Sequence, residues 1–177
     1  MTVLQSKLWK STPDWFHTWF NTPEYHALYG DRDETEALAF VRALTKAPWF
    51  PKEGPVLELA CGAGRHARAL ATAGWETSGL DLSPASIEKA RADHGEVADF
   101  SVMDMRDLVY SHALWDHFRV VTLLFTSWGY FDETEDDDRV LAGVLAALKP
   151  GGVFVLDFLN LSRVRAGLVA SEVKNDF

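Results

Sequence analysis

The sequence predicts one α/β domain with a parallel sheet between two layers of helices. From residue 51 onward, short apolar segments alternate with segments of helical pattern, the order typical of parallel strands joined by right-handed crossovers. The segment 119–125 is apolar almost throughout, as expected of a strand buried on both faces. In the run 56–66, an apolar strand leads through two glycines into a helix. Together these observations predict a doubly wound sheet.

Residues 1–50 predict a helical cap that precedes the sheet. This segment is rich in aromatic side chains. Thr12-Pro13 and Thr22-Pro23 each place a capping hydroxyl before a proline at the first helical position, and Gly30 follows as a stop. A third helix is predicted over about 33–46, because apolar residues recur there at helical spacing.

Residues 51–177 are predicted to form the sheet domain, in which strands and helices alternate. The helix at 84–94 is the best marked, because Ser83-Pro84 supplies a cap and Gly95 a stop. The predicted strands are 56–60, 75–80, 98–103, 119–125 and 153–158, and the predicted helices between them are 65–73, 84–94 and 135–148.

Composition limits the classes of partner. The formal net charge of −9 argues against a non-specific nucleic-acid binder, which needs a basic face, and favours a small-molecule substrate. No run approaches the length of a membrane span, and the N-terminus lacks the apolar core of a secretory signal, so a cytoplasmic protein without membrane partners is expected. The single cysteine, Cys61, is predicted to be a packed side chain.

The glycine turn and a downstream acid predict a nucleotide cofactor. The segment Gly62–Ala67 satisfies G-x-G-x-x-[GA], a pattern that is weak evidence alone. Asp81 lies 19 residues beyond Gly62, at the end of the second predicted strand, where a carboxylate can accept the ribose hydroxyl protons of a bound nucleoside. This arrangement suits NAD and S-adenosylmethionine equally.

Two further acids separate these cofactors. Glu58 lies just before the turn, where a carboxylate suits the ammonium of a methionine group and would repel a pyrophosphate. A buried strand acid needs a partner, which the sequence does not identify, and His66 is predicted to be a surface or structural residue. Asp104 ends the third strand and could accept from an adenine amino group, with Met105 packed on the ring. Asp104 could instead cap the following turn.

In these motifs the chain resembles the class I S-adenosylmethionine-dependent methyltransferases, a Rossmann-like family. The matching segments are Glu58–Gly64, Gly79–Ser83, Met103–Met105, Leu124–Phe131 and Leu148–Gly152, with Ala60 where the wider family often has glycine. The resemblance implies the strand order 3-2-1-4-5 and S-adenosylmethionine as cofactor. The cofactor-binding residues it implies are Glu58, Ala60, Gly62, Gly64, Asp81, Leu82, Asp104, Met105 and Phe125.

The aromatic N-terminal segment is similar to the cap of one small-molecule branch of these enzymes. Tyr25 and Tyr29 are one helical turn apart and are predicted to contact cofactor or substrate, although the neighbouring aromatic residues could simply attach the helices to the sheet. The predicted function is methyl transfer to an unidentified small molecule. The alternatives are a non-catalytic domain that binds S-adenosylmethionine or S-adenosylhomocysteine and, with less support, an NAD(P)-dependent oxidoreductase.

The resemblance also implies two further strands after the fifth, for which residues 161–177 leave too little room. The fifth strand would then be an apolar edge, which proteins normally cover or pair. We therefore expect either a fragment of a longer chain or a sheet completed by a second copy.

No metal site is predicted. The acidic run 132–138 is interpreted as the solvated start of a helix, where the helix dipole favours negative charge. The histidines lack the spacing of metal ligands. Because methyl transfer from a sulfonium needs few acid/base groups, the sequence assigns no catalytic residue.

Overall fold

A parallel sheet forms the centre of the fold in the computed structural model, which describes residues 15–25 and 34–168. Its strands are β1 (Val56–Leu59), β2 (Thr77–Asp81), β3 (Asp99–Val102), β4 (Phe118–Leu123) and β5 (Leu148–Leu156). They are arranged in the order β3-β2-β1-β4-β5, and each neighbouring pair is parallel. The predicted doubly wound sheet and its strand order are confirmed.

Helices flank the sheet close to their predicted positions. They are α1 (Trp15–Trp19), α2 (Glu34–Thr45), α3 (Arg65–Thr72), α4 (Pro84–His94), α5 (Thr134–Ala147) and α6 (Leu161–Ala166), with short 3₁₀ helices at Met105–Tyr110 and His112–Leu114. The Ser83 hydroxyl accepts a hydrogen bond from the Ser86 N–H at 3.2 Å, which confirms the cap of α4. Gly95 ends that helix with φ −63°, so its stop does not use the left-handed conformation.

The N-terminal residues that the structure describes pack against the core. The Thr22 hydroxyl accepts a hydrogen bond from the Tyr25 N–H at 3.1 Å, as its predicted capping role requires. Ion pairs Arg65–Glu36 and Arg68–Glu34 join α3 to α2. The predicted helix start at Thr12-Pro13, the stop at Gly30 and the site residue Tyr29 lie outside the described residues.

The two faces of β1 and β4 bury different sets of side chains. Leu57, Leu59 and Val121 pack with Val140 and Val144 of α5. On the opposite face, a second cluster joins the strands to α2 and α3 and contains Val41, Leu44, Val56, Leu70 and Val120. Because alternate strand residues point to opposite faces, Glu58 lies on the same side as Val56, towards α3.

The fifth strand differs from its prediction. It begins at Leu148 rather than 153 and ends at Leu156 rather than 158. The Lys149–Gly152 segment, which precedes the predicted strand, is instead an irregularity within the observed strand, where the register with β4 shifts and Gly151 has φ +73°. Pairing with β4 on both sides of this bulge extends the strand.

β5 forms an edge of the described sheet, because β4 is its only neighbour there. Large apolar side chains at and after the end of β5 are exposed to solvent: Leu156, Phe158, Leu159, Leu161 and Val164. None of the described helices combines the length and apolar character needed to cross a membrane.

Candidate functional site

A cavity of about 700 Å³ opens at the carboxyl ends of the strands. This is where doubly wound sheets bind their ligands, and the volume suits a small molecule. The structure brings most of the predicted cofactor-binding residues together in its lining: Tyr25, Glu58, Ala60, Gly62, Asp81, Leu82, Asp104, Met105 and Phe125.

The loop after β1 has a left-handed backbone at two positions that line the cavity. Ala60 has φ +52° and Gly62 has φ +55°. A left-handed conformation costs a residue with a Cβ about 1 kcal/mol, so the position where the wider family often has glycine is strained in this chain. A Cβ added to Gly62 would meet no atom within 4 Å, so the glycine leaves open space for a ligand to approach the backbone.

Gly64, in contrast, does not line the cavity. A Cβ at this position would lie 2.7 Å from the ring of Phe100, and its N–H already donates to the Cys61 carbonyl at 3.0 Å. The structure therefore gives Gly64 a packing role, while its contact with a cofactor stays a prediction. Cys61 is buried, and burial followed by the charges of Glu58 and Asp81 raises the pKa of its thiol, which is consistent with a packed side chain.

Asp81 is held by two backbone hydrogen bonds. Its Oδ2 accepts from the Gly62 N–H at 2.7 Å and its Oδ1 from the Ser83 N–H at 2.8 Å. Burial raises the pKa of this carboxyl, the two hydrogen bonds oppose that effect, and the charge of Glu58 adds to it. Each carboxylate oxygen keeps a lone pair beyond these bonds, so the group can still accept from ligand hydroxyls.

Glu58 faces the cavity as a buried carboxylate with 1% of its surface exposed. Its Oε1 lies 3.4 Å from Nδ1 of His66, and its buried Oε2 has no hydrogen-bond partner among the described residues. His66 is therefore the partner that the sequence did not identify, and it is buried rather than at the surface. Its place in the first turn of the helix that follows β1 is the signal that could have revealed it.

The orphaned Oε2 also tests whether the site suits the predicted cofactor. A buried carboxylate oxygen without a partner costs free energy that a hydrogen-bond donor from a ligand would recover. An ammonium group supplies such a donor together with the complementary charge, whereas a pyrophosphate would be repelled. The residues present thus fit the amino-acid end of S-adenosylmethionine.

Asp104 caps the 3₁₀ helix that follows β3. Its Oδ1 accepts from the Arg106 N–H at 2.9 Å, and its Oδ2 accepts from the Arg106 guanidinium at 2.7 Å. Burial would raise the pKa of the Asp104 carboxyl, but the hydrogen bonds and charge of Arg106 outweigh burial and hold that pKa below its usual range. The capping role that the sequence left open is therefore present, and the contact with adenine stays a prediction.

Arg106 connects this acid to the N-terminal segment and to α5. Its guanidinium donates to Asp136 at 2.8 Å and lies over the rings of Phe16 and Phe131, 5.3 and 5.0 Å from their centroids. His17 lies 3.7 Å from Oδ2 of Asp104. Sequence reasoning missed this network, since it joins residues that are far apart in the chain.

The acidic run 132–138 is therefore more than a solvated helix start. α5 does begin within it, at Thr134, but Asp136 is paired with Arg106 and also with Arg139. Within the described ranges, no cluster of three or more histidine, cysteine, aspartate or glutamate residues could hold a metal ion.

Aromatic side chains from the N-terminal segment and the β4–α5 loop form one wall of the cavity. Tyr25 packs edge-on against Phe20, which in turn contacts Tyr130, at centroid distances of 5.0 and 5.3 Å. The wall comprises Trp15, Phe16, Trp19, Phe20, Tyr25, Tyr130 and Phe131. These rings therefore both attach the segment to the core and line the site.

Phe125 begins the β4–α5 loop with a strained backbone. It has φ +58° and the following Thr126 has φ +59°, a conformation that non-glycine residues rarely adopt. The Phe125 N–H donates to Oδ2 of Asp157 at 3.1 Å, and the Arg65 guanidinium lies 4.6 Å from the centre of its ring. Strain of this kind is typical of functional sites and persists only where neighbouring contacts hold it.

Comparison with known proteins identifies the family. Residues 56–152, more than half of the chain, match the family model described as a methyltransferase domain, and the chain belongs to this family. The resemblance inferred from the sequence motifs is thereby confirmed.

Curated relatives include an amino-sugar N,N-dimethyltransferase and a ubiquinone biosynthesis O-methyltransferase. The chain is 33% identical over 107 residues to the dTDP-3-amino-3,4,6-trideoxy-alpha-D-glucopyranose N,N-dimethyltransferase of Streptomyces venezuelae, covering 60% of this chain and 43% of the relative. It is 31% identical over 119 residues to a ubiquinone biosynthesis O-methyltransferase of Thiobacillus denitrificans, covering 66% and 48%. The chain thus spans less than half the length of these relatives.

Solved structures share the fold. A Pyrococcus horikoshii protein matches with a TM-score of 0.63 and 29% identity, covering 91% of this chain and 69% of that protein. The amino pentose methyltransferase CalS10 from Micromonospora echinaspora, solved with S-adenosylmethionine bound, matches with a TM-score of 0.62 and 28% identity, covering 76% and 56%.

Proposed function

We propose that this chain binds S-adenosylmethionine and transfers its methyl group to a small-molecule acceptor. The observation that carries the proposal is the pairing, in one cavity of a methyltransferase-family domain, of a backbone-held Asp81 with a buried Glu58 whose second oxygen lacks a described partner. The first suits ribose hydroxyls and the second suits an ammonium group. The family match favours this function over the oxidoreductase alternative.

Different residues of the cavity suit different parts of the cofactor. Glu58 would accept from the ammonium group, and the backbone at Ala60 and Gly62 would lie along the amino-acid tail. Asp81 would accept from the ribose, and Asp104 from the adenine amino group. The apolar contacts with the adenine and with the aromatic side of the site would come from Leu82, Met105, Phe125 and Tyr25. Gly64 would support the loop, and Tyr29 is proposed from its spacing alone.

The protein's part in the reaction is alignment and exclusion of water. Bound S-adenosylmethionine supplies an electrophilic methyl group on a sulfonium, which a nucleophile displaces in line. The aromatic wall supports this role, because it covers the cavity with apolar surface and offers flat faces on which an acceptor can pack. A base is needed only for an acceptor that arrives protonated, and we assign none.

The acceptor class follows from the relatives. Amino-sugar N,N-dimethyltransferases and a ubiquinone biosynthesis O-methyltransferase are among the matches. We therefore propose an amine or hydroxyl of a small molecule as the acceptor. The net charge of −9 supports a partner other than nucleic acid, and a cytoplasmic location remains our proposal from the sequence.

We also propose that a second copy of the chain covers the edge strand β5. Its free edge and the exposed Leu156 and Phe158 favour pairing or apolar contact. Light scattering over a wide concentration range tests this. A concentration-dependent dimer that is lost in a Phe158→Lys variant is expected, and a monomer at every concentration would contradict the proposal.

Calorimetric titration of the purified chain tests the cofactor. Micromolar binding of S-adenosylmethionine and S-adenosylhomocysteine is expected, without a response to NAD. A folded chain that binds neither sulfur compound would refute the proposed function. Where binding occurs, transfer of a labelled methyl group to a panel of small amines and phenols separates an enzyme from a non-catalytic binding domain.

A further inference from the structure

Glu58 and His66 form a buried pair beside the cavity. Their side chains are 2% and 6% exposed, and both residues contribute to the cavity lining. Nδ1 of His66 lies 3.4 Å from Oε1 of Glu58, while Oε2 has no partner in the described part of the chain. Oε1 therefore contacts a protein side chain, whereas Oε2 is available to a ligand.

The histidine ring is itself held from a third element. Phe40 of α2 packs edge-on against His66, with 5.9 Å between the ring centroids. Glu58 lies on β1, His66 in the first turn of α3 and Phe40 on α2, so the direction of the carboxylate depends on three packed elements. A glutamate has several rotatable bonds, and a contact of this kind selects one of their conformations.

We infer that His66 is a positioning residue, which holds Glu58 so that Oε2 is available to a primary ammonium group. The pair would then give the site its preference for adenosine thioethers that carry an α-amino group over those that lack it. This inference rests on the proposed binding of S-adenosylmethionine and assigns a role to a residue that does not itself contact the ammonium.

Two similar side chains separate positioning from packing. In His66→Asn, the amide N–H stands close to the former Nδ1 and keeps the contact with Glu58. In His66→Gln, the amide N–H extends towards the former Nε2 and loses that contact. The probes are S-adenosylhomocysteine and its deaminated analogue, which keeps the adenosine and the carboxylate, with dissociation constants measured by calorimetry.

The wild-type chain should bind S-adenosylhomocysteine about tenfold more tightly than the deaminated analogue, the usual scale of a hydrogen bond to a charged group. His66→Asn should keep most of this preference, and His66→Gln should reduce it to about twofold. Affinity for the deaminated analogue should stay unchanged in both variants. In a Glu58→Gln background, His66→Gln should have no further effect on the preference.

Three outcomes would overturn the inference. The first is an unchanged preference in a folded His66→Gln variant. The second is an equal loss of affinity for both probes, which indicates a purely structural role. The third applies if His66→Gln does not fold: a Glu58→Gln variant that keeps the full preference for S-adenosylhomocysteine over the deaminated analogue would then overturn the inference. If the folded wild-type chain binds neither probe, the proposed function itself fails, so the two failures are distinguishable.

Discussion

The carboxyl ends of β1 and β2 differ from the edge strand β5 in how far their side chains are satisfied by contacts within the described structure. Towards the ends of β1 and β2, the half-buried Asp81 is held by backbone N–H groups and the buried Glu58 contacts a neighbouring side chain. At β5, the described part of the strand has no outer neighbour, and Phe158 beyond it is 52% exposed. The proposed cofactor side is thus assembled within the described residues, whereas the β5 side presents apolar surface that another surface can cover.

The difference follows from the kind of interaction on each side. The hydrogen bonds to Asp81 come from the loops that directly follow β1 and β2, so they form when the domain itself folds. Apolar burial needs a facing surface, and Leu145 on α5, 74% exposed, has none in the described structure. Affinity for the cofactor should therefore depend on single polar atoms. The exposure of the apolar side chains near β5 should depend on whether another surface associates with them.

The largest effect is expected from Asp81→Asn. The amide cannot accept from two backbone N–H groups and two ribose hydroxyls, so affinity for S-adenosylhomocysteine should fall on the order of 100-fold. Asp99→Asn, at an exposed position where β3 begins, is the matched control and should leave affinity unchanged. Calorimetry measures both affinities. Equal affinities of the two variants for S-adenosylhomocysteine would contradict a role for Asp81 in cofactor binding.

The second largest effect is expected from the loss of Arg106, which joins Asp104 to Asp136. Arg106→Met leaves Asp104 and Asp136 without their shared partner and should lower the free energy of unfolding by about 2 kcal/mol. Arg163→Met on the exposed helix α6 is the control, with a change of about 0.5 kcal/mol or less. Urea denaturation followed by tryptophan fluorescence measures both, and similar losses in the two variants would contradict a bridging role for Arg106.

Low pH should weaken the interaction between Asp104 and Arg106. Because the folded-state pKa of Asp104 is depressed, its stabilising contribution is present above its ordinary pKa and is lost as pH falls through the folded value. Between about pH 5 and pH 2, wild-type stability should fall more steeply than that of Asp104→Asn. Denaturation midpoints across this range test the prediction. Parallel curves would show that Asp104 contributes no pH dependence.

The smallest effect is expected in the loop after β1. Ala60→Gly relieves the left-handed strain at φ +52°, and the relief exceeds the added flexibility of the unfolded chain by about 0.5 kcal/mol. Ala63→Gly, at a neighbouring position outside the left-handed region, should destabilise by a similar amount. Thermal unfolding of both variants compares the signs, and a loss in both would mean that Ala60 is not strained.

The elements were predictable because their signals are local. The cap at Ser83 and the apolar pattern of β4 each act within a few residues, and the predicted bounds of β1 to β4 lie within two residues of the observed ones. The start of β5 was wrong, because pairing with β4 recruits Leu148 across a glycine-containing bulge. The acids that line the cavity were predictable because parallel strands end at one edge of the sheet.

The chain's sequence alone determined its family, its alternating strands and helices, and the acids at or near the carboxyl ends of the strands, because each depends on short motifs and on periodicity. Tertiary structure decided that His66 pairs with Glu58, that Arg106 joins Asp104 to Asp136, and that Gly64 serves packing. These contacts depend on where packed helices place distant side chains. That placement results from burial across the whole domain, which no local pattern encodes.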